Sequence, residues 1–270
     1  MSNLKAKFGR EIAKYCQYIR PGMFEYAVNI SHKYNYLYVE TPKAGCSSIK
    51  MTLQRMELDL PDFYREDFED IHNRNFSPLL KASQVGSFDR FLNRPNLFKF
   101  CFVRNPYTRL LSAYLEKIKS NKPQKKDILQ HLGRNIQQLN TPVSFTEFVE
   151  VICEQPIANL NDHWNIQYYQ TFQNAIKYDF IGKVENFDRD FAFVLNTVNK
   201  DYQKYVSKEQ RHASGADERL SAYYTPALIA KVRDKYALDF EYFGYSFDFE
   251  DCLLTHKSTQ EKPRNKLYSI

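Results

Sequence analysis

The sequence predicts an α/β fold in which a central parallel sheet is flanked by helices. Two segments, residues 34–57 and 97–119, share one pattern: an apolar stretch, a sharp turn that carries a cation, and an amphipathic stretch with helical spacing. A third apolar stretch at 178–184 precedes another amphipathic segment at 188–198. Strands that alternate with helices indicate parallel pairing, because a parallel crossover needs a long connection that is usually a helix.

The first predicted strand is Tyr34–Glu40, whose aromatic and β-branched run is typical of a strand buried on both faces. The helix predicted after it is Ser47–Glu57, where apolar residues recur at helical spacing. Residues 1–33 before this strand are of mixed composition, and we expect a helical or irregular lead-in. Residues 58–96 are polar and aromatic with scattered prolines, which predicts an irregular connection.

The second predicted strand is Leu97–Val103, and a helix is predicted at Pro106–Lys119. Proline fits the first helical position, because the N–H that it lacks would have no partner there. The third strand is predicted at Tyr178–Val184 and is followed by a helix at Asp188–Val198.

Two later helices are predicted from capping signals. Ser144 followed by Glu147 forms a capping box before an apolar helix at Phe145–Cys153. Thr225 and Pro226 supply a cap and a first-turn proline for another helix.

The length of 270 residues fits one large α/β domain. We therefore predict a single domain over 1–270, with a core at 34–247 and a C-terminal tail at 248–270. Residues 120–142 read as an exposed loop with room for a short helix.

Composition excludes several function classes. The net charge of +6 is mild, and the densest basic run is only Lys122–Lys126, so nucleic-acid binding is not favoured. The five cysteines include no CxxC pair, so the sequence indicates neither a zinc site nor a disulfide framework. Because no apolar run approaches the roughly 18–20 residues that span a bilayer, we expect a soluble, cytoplasmic protein without a membrane span.

Both cation-bearing turns have the features of an anion site. A helix that begins at such a turn directs N–H groups and the positive end of its dipole at one point. Lys43 lies in the first turn and Arg104 in the second, and both turns follow strands of the predicted parallel sheet. Ligands bind at the carboxyl edge of such sheets, so a ligand with two anionic groups is predicted. Taken singly, each turn is equally consistent with an ordinary strand-to-helix connection.

The first turn is not a Walker P-loop, because it has a single glycine, Gly45, and its Lys43 stands before that glycine. A kinase is therefore a less favoured alternative, since it would also need carboxylates for Mg²⁺. A non-catalytic protein that binds anions or glycans on the same fold is the other alternative.

Together the turns resemble the two cofactor motifs of the sulfotransferases that use 3′-phosphoadenylyl sulfate (PAPS). Residues 42–48 resemble the loop that holds the 5′-phosphosulfate, and residues 104–114 resemble the motif that holds the 3′-phosphate. The form is most similar to carbohydrate sulfotransferases such as the chondroitin, dermatan and HNK-1 enzymes, with the heparan 2-O enzymes more distant. Segments 161–164, 178–185 and 238–245 agree with this resemblance.

The resemblance implies a three-layer, P-loop-like sulfotransferase fold and sulfuryl transfer from PAPS to a hydroxyl group, with a carbohydrate as the favoured acceptor. It implies these cofactor-binding residues: Lys43, Ala44, Gly45, Cys46, Ser47, Ser48, Arg104 and Ser112. Lys43 would stabilise the leaving 5′-phosphate, while Arg104 and Ser112 would hold the 3′-phosphate. A metal is not expected, because the sulfuryl group carries less charge than a phosphoryl group and no acidic cluster is evident.

Two histidines are candidates for the general base, since histidine titrates in the required range. His72 lies between the two turns, and the heparan 2-O enzymes take their base from a histidine in the corresponding interval. His163 lies in a segment similar to the Asn-Glu-His-Trp of the chondroitin enzymes. We favour His72, because its position between the phosphate loops brings it more easily to the sulfur. Glu66, Glu69 and Asp70 are weaker candidates.

The chain departs from the family pattern at Asn105, where relatives commonly have Asp, although Asn can also cap the turn. The sequence predicts neither the N-terminal anchor nor the luminal disulfides of the Golgi members. Residues 211–214, ahead of Tyr223 and Tyr224, resemble a late family segment near the cofactor and acceptor. An exposed loop is an equally good interpretation of that segment. The acceptor and the oligomeric state stay open.

Overall fold

A computed structural model describes residues 9, 11–16, 18–64, 70–206 and 216–253. These residues divide into two compact units. The first unit draws on the described parts of 1–104 and 154–212, and the second on those of 105–153 and 213–270. The single domain expected from the sequence stays a prediction.

The first unit is built on a four-stranded sheet in the order β1-β2-β3-β4. Its strands are β1 Val28–Ser31, β2 Tyr36–Val39, β3 Phe98–Val103 and β4 Phe180–Lys183. β2, β3 and β4 are parallel, with Val39 opposite Cys101 and Val103 opposite Lys183, whereas β1 is antiparallel to β2. The three strands predicted from apolar runs are confirmed, and the sheet is mostly rather than wholly parallel.

The antiparallel strand β1 lies in residues 1–33, where we expected a helical or irregular lead-in. Its four residues alternate between apolar and polar side chains, and a four-residue turn at His32–Asn35 connects it to β2. All four β1 residues are buried. A four-residue strand gives too short a pattern to be distinguished in the sequence, because helical and strand periodicities separate only over longer windows.

The helices, in chain order, are α1 Pro21–Ala27, α2 Cys46–Leu58, α3 Phe88–Leu92, α4 Pro106–Ala113, α5 Lys125–His131, α6 Phe145–Glu154, α7 Gln167–Gln170, α8 Phe187–Val198, α9 Ala216–Tyr223, α10 Pro226–Lys235 and α11 Ala237–Phe243. Single 3₁₀ turns lie at Asp70–His72, Ala82–Gln84, Ile157–Asn159, Val184–Asn186 and Tyr202–Tyr205. Within the described residues, no helix is sufficiently long and apolar to cross a membrane.

Both faces of the sheet are covered within the first unit. Strand side chains alternate between the faces, so that Leu37 and Val39 lie in one core cluster and Tyr36 and Tyr38 in the other. The first cluster contains residues of α1 and α3, and the second contains residues of α2 and α8. The flanking helices predicted from the sequence are therefore confirmed.

The second unit is helical and has an aromatic core. The ring of Tyr107 packs against Tyr224, Phe240 and Phe249, with centroids 4.9–5.4 Å apart. α4 ends at Ala113 and a π-helical turn, Tyr114–Ile118, continues it, so the helix predicted over 106–119 is present and changes its hydrogen-bonding pattern at Tyr114. An apolar face at helical spacing does not distinguish the two hydrogen-bonding patterns over so short a stretch.

Gly182 should be intolerant of any side chain, because a Cβ there would collide with the ring of Phe102. We expect Gly182→Ala to lower the free energy of unfolding by about 1–3 kcal/mol, as overpacking does elsewhere. Urea denaturation measures the change. Gly22→Ala in α1 is the control, since its new Cβ would meet nothing within 4 Å. Equal stability of Gly182→Ala and the unaltered protein would contradict this packing.

Candidate anion-binding site

The loop between β2 and α2 has an unusual backbone. Lys43 and Gly45 both adopt the left-handed conformation, with φ of 70° and 76°. The N–H of Ala44 donates to the carbonyl of Thr41 at 3.1 Å, which closes the turn. A Cβ on Gly45 would lie 2.7 Å from a ring carbon of Phe187. The sequence therefore needs glycine here for two reasons, the sign of φ and the close approach of a ring.

The amino end of α2 suits an anion. Gly45 is its N-cap, no side chain caps the helix, and its first turn contains no acidic residue. The first N–H groups of a helix have no intrahelical acceptor, and the helix dipole makes that end positive. The predicted loop residues are at this end: Ala44 is buried, and Lys43, Gly45, Cys46, Ser47 and Ser48 are half-buried. Such an arrangement binds phosphate or sulfate groups.

Arg104 lies beside this loop, one residue beyond the end of β3. Its Nη1 donates to the carbonyl of Lys43 at 3.5 Å, and the residue is 8% exposed. The two turns were predicted to share one edge of the sheet, and the parallel pairing of β2 with β3 confirms this. Two cationic side chains from separate turns therefore belong to one region of the first unit.

Gln167 is a residue that the sequence analysis missed. It is fully buried, its Oε1 accepts from the N–H of Arg104 at 2.9 Å, and its Nε2 donates to the carbonyl of Arg104 at 2.8 Å. The amide thus holds the backbone of Arg104 from both sides. The motif at 161–164, three residues earlier, was the available signal, but nothing in a sequence shows which backbone an amide will bind.

His72 is brought to the first loop, as the sequence prediction required. Its Nε2 lies 2.9 Å from Ser47 Oγ, and its side chain is 25% exposed. The 3₁₀ turn that carries it is fixed by Gln54, whose Nε2 donates to the carbonyl of Ile71 at 3.1 Å. This histidine is therefore positioned by α2, the same helix that offers its amino end to an anion.

The other ring nitrogen of His72 faces a buried ion pair. Nδ1 lies 3.9 Å from Glu40 Oε1, and Glu40 Oε2 lies 2.7 Å from Lys50 Nζ. Glu40 is 2% exposed and Lys50 is fully buried. The sequence analysis assigned no site role to either residue.

Glu40, Cys46 and His72 also have the ligand types of a transition-metal site, with ligand atoms within 4.8 Å of one another. Burial, and after it the charge of Glu40, raises the pKa of the Cys46 thiol, which disfavours the thiolate that a metal binds. Lys50 already matches the carboxylate charge. The electrostatics of this cluster favour an anion over a cation.

His163 is oriented by its own segment. Its Nδ1 lies 2.8 Å from Asn161 Oδ1, and its backbone N–H donates to the same oxygen at 3.1 Å. The adjacent Asp162 lines a small cavity together with Glu40 and Pro42. The segment therefore passes the end of β2, while the ring itself is held by Asn161.

The remaining predicted site residues lie elsewhere in the chain. Ser112 is buried in α4 of the second unit, and its role at a phosphate stays a prediction. Asn105 does cap α4, since its side chain accepts from the N–H of Tyr107 at 3.0 Å. Asp70 begins a 3₁₀ turn. Glu66, Glu69 and the 211–214 segment lie outside the described residues.

Gln167→Ala should disturb the backbone of Arg104, because it leaves a buried N–H and a buried carbonyl without their partner. We expect the free energy of unfolding to fall by about 2–6 kcal/mol, at about 1–3 kcal/mol for each of the two unsatisfied groups. Chemical denaturation measures this loss. The exposed Gln203→Ala is the matched control and should change stability by less than about 0.5 kcal/mol. Equal effects of the two substitutions would argue against a stabilising role for the hydrogen bonds between Gln167 and the backbone of Arg104.

Comparisons with known proteins agree with this geometry. Carbohydrate sulfotransferase 14 of Danio rerio is 27% identical over 230 residues, which cover 81% of this chain and 61% of the relative. Carbohydrate sulfotransferase 12 of Mus musculus is 28% identical over 247 residues (80% and 59%), and carbohydrate sulfotransferase 8 of Homo sapiens is 26% identical over 245 residues (82% and 56%). The chain thus spans about three fifths of the length of these relatives. No solved structure matches it significantly.

A family model described as "Sulfotransferase family" matches residues 26–246, from the residue before the end of α1 to just beyond α11. The match contains all four strands, both cation-bearing turns, His72 and Gln167. It extends over more than half of the chain, and the chain therefore belongs to the sulfotransferase family.

Proposed function

We propose that this protein transfers a sulfuryl group from PAPS to a hydroxyl group of a carbohydrate. The observation that carries the proposal is the contact between Arg104 Nη1 and the carbonyl of Lys43 beside the uncapped end of α2. One cation-bearing turn alone would suit any small anion. Two of them at one sheet edge suit a donor with phosphate groups at two places.

The residues present fit this donor. The backbone is left-handed at Lys43 and Gly45 just before α2, and an added Cβ on Gly45 would collide with Phe187. We assign the 5′-phosphosulfate to this loop and to the first N–H groups of α2. Arg104 is assigned to the 3′-phosphate, for which its forked donors suit two oxygens. The role of Ser112 at that phosphate is proposed from the sequence motif alone.

PAPS, when bound, supplies the sulfuryl group and leaves as adenosine 3′,5′-bisphosphate. Lys43 and the N–H groups of α2 would stabilise the negative charge that develops on the 5′-phosphate. His72 would accept the proton of the acceptor hydroxyl at Nε2, the nitrogen that lies on the Ser47 side of the ring. Charge stabilisation and positioning then account for most of the rate, as in the related transfer of phosphoryl groups.

A carbohydrate acceptor is proposed because the named relatives are carbohydrate sulfotransferases. Acceptor specificity resides in loops that vary within a fold, so the sugar is not assigned. A screen of glycans and small alcohols with labelled PAPS would identify it. The cytoplasmic location expected from the sequence stays a prediction.

Lys43→Ala and Arg104→Ala should each weaken the site, since both remove a cation that faces a phosphate. We expect calorimetric affinity for adenosine 3′,5′-bisphosphate to fall by about tenfold to a hundredfold in Arg104→Ala. For Lys43→Ala we expect kcat/KM to fall by about 10²- to 10³-fold. The exposed Lys177→Ala and Arg90→Ala are matched controls. Unchanged bisphosphate affinity in Arg104→Ala would remove Arg104 from the donor site.

Thermal shift separates the alternatives without an acceptor. Adenosine 3′,5′-bisphosphate should raise the melting temperature, and ATP with Mg²⁺ should not. Stabilisation by ATP with Mg²⁺ alone would favour a kinase. Stabilisation by the bisphosphate without turnover on any acceptor would favour a non-catalytic binding protein.

His72→Ala should reduce kcat by about 10²- to 10⁴-fold and leave bisphosphate affinity within about twofold, because the base acts on the acceptor proton. His163→Ala is the comparison, and we expect it to retain most of its turnover, since its ring is oriented by Asn161. Steady-state kinetics with saturating PAPS measures both. Near-normal turnover in His72→Ala would exclude it as the base.

A further inference from the structure

The carboxylate beside His72 belongs to a buried ion pair whose presence a gain in stability does not explain. Glu40 follows the last residue of β2, with Oε1 3.9 Å from His72 Nδ1 and Oε2 2.7 Å from Lys50 Nζ. Glu40 and Lys50 are both buried. Buried ion pairs contribute little to stability, because desolvation of the two charges offsets their attraction, and apolar replacements are often neutral. A contribution to stability therefore does not account for this buried ion pair.

Lys50 serves Glu40. Its ammonium lies 2.7 Å from one carboxylate oxygen and 5.2 Å from the ring centroid of Tyr26, on a side chain with no exposed area. A buried carboxylate without a cation would tend to take up a proton. The ammonium thus balances the carboxylate charge at one oxygen as an ion pair, and the other oxygen lies toward the imidazole.

An ionised carboxylate determines which ring nitrogen carries the proton. At 3.9 Å the carboxylate acts through its charge rather than through a hydrogen bond, and that charge favours the tautomer of a neutral imidazole whose N–H faces it. That side is Nδ1 of His72. Nε2 is then the unprotonated nitrogen, and the hydroxyl of Ser47 at 2.9 Å is its donor.

We propose that Glu40, paired with Lys50, is a positioning residue that orients His72 and keeps its proton on Nδ1, so that Nε2 accepts the proton of an acceptor hydroxyl that takes the place of the Ser47 hydroxyl. The orientation follows from contacts within the first unit. Its catalytic meaning rests on the proposed function.

Among the described residues of this region, Cys46, Lys43 and Arg74 suit this role less well than Glu40. The thiol of Cys46, whose pKa is raised by burial, has its sulfur within 4.8 Å of the Glu40 and His72 ligand atoms. Lys43 on the loop and Arg74 after the 3₁₀ turn are cations, and Arg74 is occupied by the carbonyls of Val28 and Leu80. Of the described groups in the cluster around His72, the carboxylate is Glu40.

The first test reads the tautomer directly in the full-length protein. Two-bond ¹H–¹⁵N correlation spectra of a ¹⁵N-histidine sample, assigned with His72→Ala, should show His72 protonated on Nδ1 at neutral pH. A predominant Nε2–H tautomer would overturn the proposal without any variant of Glu40.

The second test removes the charges. Glu40→Gln leaves Lys50 buried without its partner, so the double variant Glu40→Gln, Lys50→Met keeps the volumes and removes both charges. We expect mixed tautomers and a titration midpoint of His72 at lower pH, because the imidazolium loses an adjacent anion. Turnover should fall about tenfold to a hundredfold, as for other lost orienting partners, and the acid limb of the kcat/KM profile should move to lower pH. Bisphosphate affinity should stay within about twofold.

Glu57→Gln is the matched control, since this half-buried carboxylate lies at the far end of α2 and binds Ser31. It should leave the His72 spectrum and the acid limb unchanged. A double variant with the tautomer and midpoint of the unaltered protein would overturn the proposal. Normal turnover in His72→Ala, with the spectral changes still present in the double variant, would instead reject the base assignment and retain the positioning of the ring by Glu40.

Discussion

The parallel pairing of β2 with β3 is the constraint on which the site depends. Val39 lies opposite Cys101, so the two strands end at the same edge of the sheet. The chain leaves β2 through the Lys43 loop and leaves β3 through Arg104, and neither turn could contact the other if the strands ran in opposite directions. The burial of both strand faces between two helical layers then fixes this register, because a slip would exchange the two sets of core side chains.

The edge of the sheet has an asymmetric charge distribution. Lys43, Arg104 and the amino end of α2 are positive and Lys43 is half-buried, whereas the carboxylate of Glu40 is buried and paired with Lys50. An anion that approaches this region therefore meets cations and N–H groups first. The second carboxylate oxygen of Glu40 lies 3.9 Å from His72 Nδ1.

The sequence predicted those parts of the structure that are encoded locally. Apolar runs located β2, β3 and β4, and the capping residues located the start of α6 and α10. The cations in the two turns indicated an anion site, because the residues that give a strand-to-helix turn its chemistry are adjacent in the sequence.

Contacts between distant residues could not be predicted. Gln167 binds the backbone of Arg104 across 63 residues, and no side-chain pattern encodes a backbone partner. In the sequence, Glu40 is a polar residue at the end of a strand and Lys50 is a polar residue on a helix. Nothing in their spacing indicates that they pair. β1 was missed because it is short and because its stability derives from pairing with β2 rather than from its own periodicity. The register of a sheet thus reveals site residues that composition cannot.

The left-handed backbone of Lys43 has a consequence for evolution and engineering. A non-glycine residue at a φ of 70° carries an intrinsic conformational cost, of order 1–2 kcal/mol, which is present whether or not a ligand is bound. Glycine or asparagine would relieve that cost but would remove the ammonium group. Selection for thermal stability alone should therefore favour glycine or asparagine at position 43, and selection for activity should favour lysine. The position is one where a stability-trained design procedure and a functional screen would choose different residues.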